Sequence, residues 1–189
     1  MRTLAIKKKM IYLNDDIEHF DWQAALPLLS EQRREQCLRF KHEQGRKTCA
    51  AAYLLLCEAL RKEYGIEEPP IFEYGDHGKP SLVGLPHIHF NLSHCRVAAI
   101  CVVSDKPVGV DIETIRPYKE SLARYAMNDD ELQRINGSAV EFTKLWTQKE
   151  AVVKLSGRGI TTDLKSVLTS FAGELQTTVT DNYVYSITL

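Results

Sequence analysis

The sequence predicts an α+β fold composed of two α/β halves. Each half combines long helical stretches with short apolar runs rich in β-branched residues, and turn residues separate those runs. A turn-forming segment, Ser104–Pro107, lies between two such runs and marks the expected boundary. We therefore assign residues 1–105 to an N-terminal half and residues 106–189 to a C-terminal half, which a chain of 189 residues is long enough to form.

The N-terminal half is expected to contain two helices followed by three short strands. Ser30 suits the N-cap of a helix that runs to about Phe40, because a serine side chain accepts a hydrogen bond from the first turn. A longer helix extends from about His42 to Tyr64, and Gly65 ends it. Strands are predicted over residues 71–74, 87–92 and 97–103, with turns over 75–78 and 94–96.

The C-terminal half is expected to begin with a buried strand, Val108–Ile112, because this run is apolar and β-branched. Its longest helix begins at Ser138, since Ser138 and Glu141 have the spacing of a capping box, and Gly157 ends it. Further helical stretches are predicted over residues 121–127 and 129–135, and strands over about 166–172, 174–180 and 183–188.

The composition excludes several classes of protein. A hydrophobic share of 44% and a charged share of 26% are ordinary for a soluble globular chain. The formal net charge of -1 argues against general nucleic-acid binding, and no apolar run has the length of a membrane span or of a signal-peptide core. The five cysteines lack C-x-x-C spacing and fit free thiols in a reducing compartment. We therefore expect a cytoplasmic protein without a nucleic-acid or membrane partner.

Two carboxylates lie at the end of the first strand of the C-terminal half. Asp111 and Glu113 are two residues apart, so their side chains point to the same face of the strand. Neighbouring carboxylates repel each other unless a cation lies between them, and oxygen ligands favour Mg²⁺. The alternative is an exposed strand end with two solvated acids, which an isolated D-x-E pattern favours.

A second charged group lies on the longest helix of this half. Glu150 and Lys154 are four residues apart and share a helix face with Trp146, which lies one turn earlier. An aromatic ring beside a charged pair indicates a partly buried site. The alternative is a surface Glu–Lys pair that contributes a few tenths of a kcal/mol. Spacing alone leaves the two interpretations open.

Four short motifs follow one another along the chain. They are Gly78-Lys79-Pro80, the segment from Phe90 to His94, the segment from Pro107 to Glu113, and the segment from Trp146 to Lys154 closed by Gly157-Arg158-Gly159. In this order they resemble the motifs of the 4'-phosphopantetheinyl transferases, in the large pseudodimeric class that activates surfactin synthetase. The resemblance extends from about Leu29 to Ile160. It implies a monomer with two similar α/β halves related by a pseudo-twofold axis, each a small antiparallel sheet packed against helices.

The resemblance also implies a reaction. Members of the family transfer the phosphopantetheine arm of coenzyme A to a serine of an apo carrier protein, acyl or peptidyl, and release adenosine 3',5'-bisphosphate. By the same resemblance, Asp111, Glu113 and Glu150 hold Mg²⁺, with Mn²⁺ as an alternative, and Glu150 and Lys154 are catalytic. Whether Glu150 is a metal ligand, a general base or both stays open at this point.

Most contacts to coenzyme A are implied for the N-terminal half. The implied residues are Arg33, Arg46, Lys79, Ser93 and His94, joined by Lys154 from the C-terminal half. Gln36 departs from the family pattern, because some relatives carry a phosphate-binding lysine there. Arg33 also suits the plainer interpretation of a solvated helix face.

Two other classes of protein remain as alternatives. Another Mg²⁺-dependent phosphate enzyme, such as a phosphatase or a nuclease, explains the carboxylates but not the upstream phosphate-binding residues. A non-catalytic homologue that binds carrier proteins is favoured when an acid or the lysine of the site is missing. All of them, Asp111, Glu113, Glu150 and Lys154, are present.

Overall fold

The computed structural model describes residues 9–157 and 163–189 of the chain. The described residues of the N-terminal half form β1 (Lys9–Asn14), α1 (Trp22–Ala25), a 3-10 turn (Leu26–Leu28), α2 (Glu31–Arg39), α3 (Glu43–Tyr64), β2 (Phe72–Tyr74), β3 (Pro80–Leu82), β4 (His89–His94) and β5 (Ala99–Ser104). Those of the C-terminal half form β6 (Gly109–Thr114), α4 (Glu120–Ala126), α5 (Asp129–Ile135), α6 (Ala139–Ser156), α7 (Val167–Ser170), β7 (Leu175–Val179) and β8 (Tyr183–Thr188). None of the described helices is long and apolar enough to cross a membrane.

Local sequence signals set the helix ends. The hydroxyls of Ser30 and Ser138 each accept a hydrogen bond from the backbone N–H three residues later, at the starts of α2 and α6. Gly65 and Gly157 follow α3 and α6 in the left-handed conformation, with φ of 69° and 66°. Glycine adopts this conformation without a steric cost. The predicted ends of these helices are therefore confirmed.

One predicted strand is wrong. Instead of a strand over residues 166–172, the chain forms the short helix α7 at Val167–Ser170. The Thr169 hydroxyl and the Ser170 hydroxyl both donate to the carbonyl of Ser166. Such local side-chain hydrogen bonds favour a turn over a sheet ladder, which explains why the β-branched residues of this segment do not pair.

Two strands form that the sequence does not predict. β1 pairs with β5 along its whole length, and β3 pairs with β2 to make a hairpin. Each of these two strands is stabilised by pairing with another strand, rather than by the β propensity of its own residues. Arg158 and Gly159, which close the last motif, and Ile160, where the resemblance ends, lie outside the described residues.

Two antiparallel sheets form the centre of the molecule. Their strand orders are β1-β5-β4 and β6-β8-β7, and α3 packs on the first sheet while α6 packs on the second. Between the sheets, Ile100 and Val102 of β5 share one buried cluster with Val110 and Ile112 of β6. This arrangement confirms the predicted α+β class with small antiparallel sheets packed against helices. The boundary at residues 105 and 106 lies in the connection between β5 and β6 and stays a prediction.

The edge strands β4 and β6 are joined through side chains. The side-chain oxygen of Asn91 accepts a hydrogen bond of 2.8 Å from the backbone N–H of Val110. The Ser93 hydroxyl accepts one of 3.3 Å from the N–H of Ile112. Asn91 and Ser93 are buried. Because buried N–H groups of an edge strand need acceptors, these two side chains take the place of a neighbouring strand.

We expect Asn91→Ala to destabilise the fold by about 1–3 kcal/mol, because the buried N–H of Val110 loses its acceptor. Urea unfolding followed by circular dichroism measures the change. Asn182→Ala, in the exposed turn before β8, is the matched control and should change stability by no more than about 0.5 kcal/mol. Equal stability of the two variants would contradict the bridging role of Asn91.

Gly109 lets α6 lie directly on β6. A Cβ atom at this position would lie 2.0 Å from the carbonyl oxygen of Ala151 and 2.7 Å from the backbone nitrogen of Leu155. Both atoms belong to the helix backbone, so a larger residue forces the helix away from the strand. The glycine therefore sets the distance between the two elements that carry the predicted acids.

We expect Gly109→Ala to cost about 1–3 kcal/mol or more, since neither backbone can yield cheaply. The thermal unfolding midpoint reports the loss. Gly75→Ala is a suitable control, because the nearest heavy atom to its added Cβ lies 3.9 Å away. If Gly109→Ala and Gly75→Ala have the same thermal unfolding midpoint, the close approach of α6 and β6 is not required for stability.

Candidate active site

Most of the site residues predicted from the sequence, including the three acids and Lys154, lie around one open cavity. Its volume is about 380 Å³. The residues that line it are Leu92, Ser93, His94, Asp111, Glu113, Trp146, Glu150 and Lys154. We call it the carboxylate cavity. It draws its walls from both halves of the chain, and it contains the three predicted acids together with the predicted lysine.

Strand and helix periodicity explain why these residues meet. Asp111 and Glu113 lie on the face of β6 that α6 covers, while Val110 and Ile112, which alternate with them, face the other sheet. On α6, Trp146, Glu150 and Lys154 follow one another at intervals of four residues. This spacing places them on one face of the helix, toward β6.

Asp111 is the centre of a hydrogen-bond network. Its Oδ1 accepts a hydrogen bond of 2.5 Å from the ammonium of Lys154 and one of 2.9 Å from the hydroxyl of Ser93. The same ammonium donates to Ser93 Oγ at 2.9 Å. The Asp111 side chain is only 6% exposed. These three contacts hold Lys154 at the junction of the two sheets.

The second oxygen of Asp111, Oδ2, is buried and has no hydrogen-bond partner among the described residues. Buried carboxylate oxygens almost always accept a hydrogen bond or coordinate an ion. A bound cation is therefore the natural partner for this oxygen.

Burial raises the pKa of both glutamates in the cavity. For Glu113 the burial and the nearby charge of Asp111 raise the pKa to about 7, against the opposing effect of Arg116. For Glu150 the causes of the raised pKa are burial and then Asp111, with Lys154 opposing. Both glutamates therefore ionise less readily than exposed ones, and a bound cation would favour their charged forms.

His94 lies at the end of β4 beside these charges. Burial lowers its pKa, and the positive charges of Lys154 and Arg33 lower it further. The neutral imidazole, which donates from one nitrogen and accepts at the other, is therefore the main form at neutral pH. Ser93 precedes it and points to the opposite face of the strand, so the two are not arranged as a nucleophile and its base.

The donor chemistry fits a hard cation, although the acids do not form a closed cage. Within residues 9–157 and 163–189, no three His, Cys, Asp or Glu side chains are grouped closely enough to hold an ion. The unpartnered oxygen of Asp111 and the raised pKa of Glu113 still mark this end of the cavity as a place where positive charge is favourable.

The two arginines predicted to contact coenzyme A have intramolecular partners. Arg33 donates to the side-chain oxygen of Gln36 at 2.8 Å and to the carbonyl of Cys49 at 3.0 Å, while its Nε is buried without a partner among the described residues. Arg46 donates to the carbonyl of Phe40 at 3.0 Å. Both lie outside the lining of the carboxylate cavity. Gln36, where the sequence departs from the family pattern, thus orients Arg33.

Lys79 directs its ammonium to backbone carbonyls. The acceptors are Lys154 at 2.7 Å, Leu155 at 3.1 Å and Val108 at 3.2 Å. The side chain is partly buried, and burial lowers its pKa. It too lies outside the lining of the carboxylate cavity.

Two features of the site are not predicted from the sequence. One is Asn91, which lies inside a quoted motif but shows its role only through the partner strand. The other is a second cavity of about 420 Å³ that shares Glu113 and Trp146 with the first. Its wall includes the stacked rings of Tyr118 and Phe142, whose centroids lie 4.3 Å apart. The one-turn spacing of Phe142 and Trp146 signals this wall, but Tyr118 lies in a connection without periodicity.

An α+β fold with a cavity lined by three acids and a lysine has the chemistry of a site for a phosphate and a cation. Residues 107–187 match the family model of the 4'-phosphopantetheinyl transferase superfamily. The chain belongs to this superfamily, which confirms the resemblance seen in its motifs.

Particular relatives extend the match beyond the C-terminal half. The chain is 32% identical over 159 residues to 4'-phosphopantetheinyl transferase psf-1 of Bacillus pumilus, covering 81% of this chain and 68% of the relative. It is 26% identical over 162 residues to 4'-phosphopantetheinyl transferase Sfp of Bacillus subtilis (strain 168), covering 82% and 72%. It is 31% identical over 150 residues to 4'-phosphopantetheinyl transferase HetI of Nostoc sp., covering 70% and 61%.

Proposed function

We propose that the protein is a 4'-phosphopantetheinyl transferase, which transfers the phosphopantetheine arm of coenzyme A to a serine of an apo acyl or peptidyl carrier protein. The observation that carries the proposal is the network of Asp111, Ser93 and Lys154, because it brings motifs from both halves to one cavity. Membership of the superfamily supports the type of reaction.

We assign the pyrophosphate of coenzyme A to the carboxylate cavity. Lys154 supplies a positive point charge there, and Ser93 and His94 supply polar groups at the end of β4. We assign the 3'-phosphate to Arg33 and Arg46, because a guanidinium can bind two phosphate oxygens at once. When the phosphate binds, each arginine gives up one intramolecular hydrogen bond and donates to a phosphate oxygen instead.

The transfer is a direct displacement at phosphorus. The serine oxygen of the carrier protein attacks the β-phosphorus of coenzyme A and forms a new P–O bond. The bond to the bridging oxygen breaks, and adenosine 3',5'-bisphosphate leaves with the electron pair. We assign the serine proton to Glu150, because it lines the cavity and burial raises its pKa, which makes it a stronger base than an exposed glutamate. Lys154 offsets the charge that develops on the leaving phosphate.

Asp111, Glu113 and Glu150 would hold Mg²⁺, or Mn²⁺ as an alternative of similar ligand preference, once their carboxylates move closer together than they lie in this structure. When bound, the ion neutralises charge on the pyrophosphate. The buried and unpartnered Oδ2 of Asp111 supports this assignment most directly. Its other oxygen, Oδ1, accepts hydrogen bonds from Lys154 and Ser93, so the two oxygens have different roles.

We expect Mg²⁺ affinity to weaken as the pH falls below about 7. Glu113 has a pKa of about 7 and must lose its proton to bind the ion, so protons compete with the metal below that value. Isothermal titration of Mg²⁺ one pH unit below and one above the pKa measures the difference. Glu113→Gln should remove most of this pH dependence. Equal affinity of the unaltered protein at both pH values would rule out Glu113 as a titrating ligand.

We further propose a cytoplasmic monomer without nucleic-acid or membrane partners. The carboxylate cavity takes its walls from both halves of one chain, so a second copy is not needed to complete it. The five cysteines are free, which fits a reducing compartment.

A single assay tests the proposed function. The protein is incubated with coenzyme A, Mg²⁺ and an apo carrier protein, and the carrier is weighed by mass spectrometry. A gain equal to the phosphopantetheine arm supports transfer. No gain with several different apo carriers contradicts it. Release of inorganic phosphate without a gain would instead support a phosphatase, and carrier binding without a gain would support a non-catalytic homologue.

A further inference from the structure

Lys79 connects the N-terminal half to the end of the helix that carries the proposed catalytic residues. It lies directly before β3, in the hairpin of β2 and β3. Its ammonium reaches the carbonyls of Lys154 and Leu155 in the last turn of α6, and the carbonyl of Val108 just before β6. The contact to Lys154 spans 75 residues of sequence.

These contacts use all of the hydrogen-bond capacity of the side chain. A lysine ammonium has three N–H donors, and the three carbonyls lie between 2.7 and 3.2 Å from Nζ. A phosphate oxygen can be bound only if one of the carbonyls is given up. Leaving such a carbonyl without its hydrogen bond would cost free energy, because the position is partly buried.

The acceptors are the groups that most need a cation. The last carbonyls of a helix lack partners within the helix and carry its negative dipole end. Gly157 ends α6 without a Cβ, and a Cβ there would lie 3.1 Å from Cδ of Lys79. The absence of a side chain at Gly157 thus makes room for the stem of Lys79, which lies along the helix end.

We propose that Lys79 is a positioning residue that acts through Lys154, rather than a ligand of a coenzyme A phosphate; this inference rests on the proposed transferase function. By holding the backbone carbonyl of Lys154 and the start of β6 together, Lys79 sets the distance between the Lys154 side chain and Asp111. The N-terminal half therefore controls the geometry of a charge pair that belongs entirely to the C-terminal half.

The test compares Lys79→Met, which keeps the stem and removes the donors, with Lys79→Arg, which keeps charge and donors. Lys62→Met, an exposed lysine on α3, controls for the loss of one charge. We expect Lys79→Met to lower kcat for transfer roughly ten- to a hundred-fold, because small misplacements of catalytic groups cost that much. Its Kd for coenzyme A, measured by calorimetry without carrier protein, should stay within about twofold of the unaltered protein. Lys79→Arg should recover most of kcat.

A double variant separates positioning from direct binding. If Lys79 acts through Lys154, Lys79→Met adds little to the loss caused by Lys154→Met, since the positioned group is already gone. Independent losses that multiply, or a Kd for coenzyme A that rises as much as kcat/KM falls, would overturn the proposal in favour of a phosphate ligand.

Amide hydrogen exchange tests the positioning role of Lys79 without relying on the transfer assay. Amides in the last turn of α6 should exchange faster in Lys79→Met than in Lys62→Met, while the rest of the helix is unchanged. Unchanged exchange in that turn would overturn the proposal even if transfer is impaired. If the unaltered protein transfers nothing to any carrier, the proposed function fails, and the exchange result still decides whether Lys79 holds the helix end.

Discussion

Replacing Asp111 with asparagine is expected to lower kcat/KM for phosphopantetheine transfer roughly a hundred- to a thousand-fold. The substitution keeps the size of the side chain and an acceptor for Ser93, but it removes the negative charge that Lys154 contacts at 2.5 Å. It also removes the oxygen that is left unpartnered and that would hold the metal. Mass-spectrometric quantification of the modified carrier protein over time measures the rate.

The fold should survive this substitution. Asp181→Asn, in the exposed turn between β7 and β8, is the matched control and should transfer at the unaltered rate. Circular dichroism and Mg²⁺ titration on Asp111→Asn then separate a chemical effect from unfolding: we expect an intact spectrum and loss of the metal-binding heat. Full activity in Asp111→Asn, or in the harsher Asp111→Ala, would remove Asp111 from the proposed mechanism.

The largest loss of stability is expected from Lys149→Met, at about 3–5 kcal/mol. Lys149 lies next to Glu150 on α6 but points away from the cavity, into the protein. Its ammonium lies 2.8 Å from the carboxylate of Glu131 on α5 and donates to the carbonyl of Leu164 at 2.7 Å. The two side chains are only 1% and 6% exposed. Removal of the lysine leaves the charge of Glu131 buried without its counter-ion.

Urea unfolding of three variants tests this expectation. Lys149→Met should be markedly less stable than Lys149→Met combined with Glu131→Gln, because the double variant leaves no buried charge and the glutamine can still accept from the N–H of Asn128. Lys62→Met breaks an exposed pair with Glu58 and should cost no more than about 1 kcal/mol. If Lys149→Met lowers the free energy of unfolding no more than Lys62→Met does, the buried pair of Lys149 and Glu131 does not stabilise the packing of α6.

Much of the candidate site follows from short-range sequence rules. The two-residue spacing of Asp111 and Glu113 placed them on one face, and the four-residue spacing of Glu150 and Lys154 placed them on another. That the two faces meet is a property of the tertiary structure, in which α6 packs on β6 at a distance that Gly109 permits. The motif resemblance predicted the meeting, but the spacing of the residues did not.

The helix boundaries and the strand faces were determined by the sequence itself, because caps, glycines and alternation act within a few residues of each other. The segment before β7 is also set locally, because its hydroxyls bond within the segment and favour a helix. The tertiary structure decided other elements: β1 forms because β5 offers a partner. It also decided the contacts of Lys79 and Lys149, whose partners lie far along the chain. A lysine in a sequence carries the same charge everywhere, and only the folded surroundings determine whether it meets a helix end, a buried acid or a phosphate.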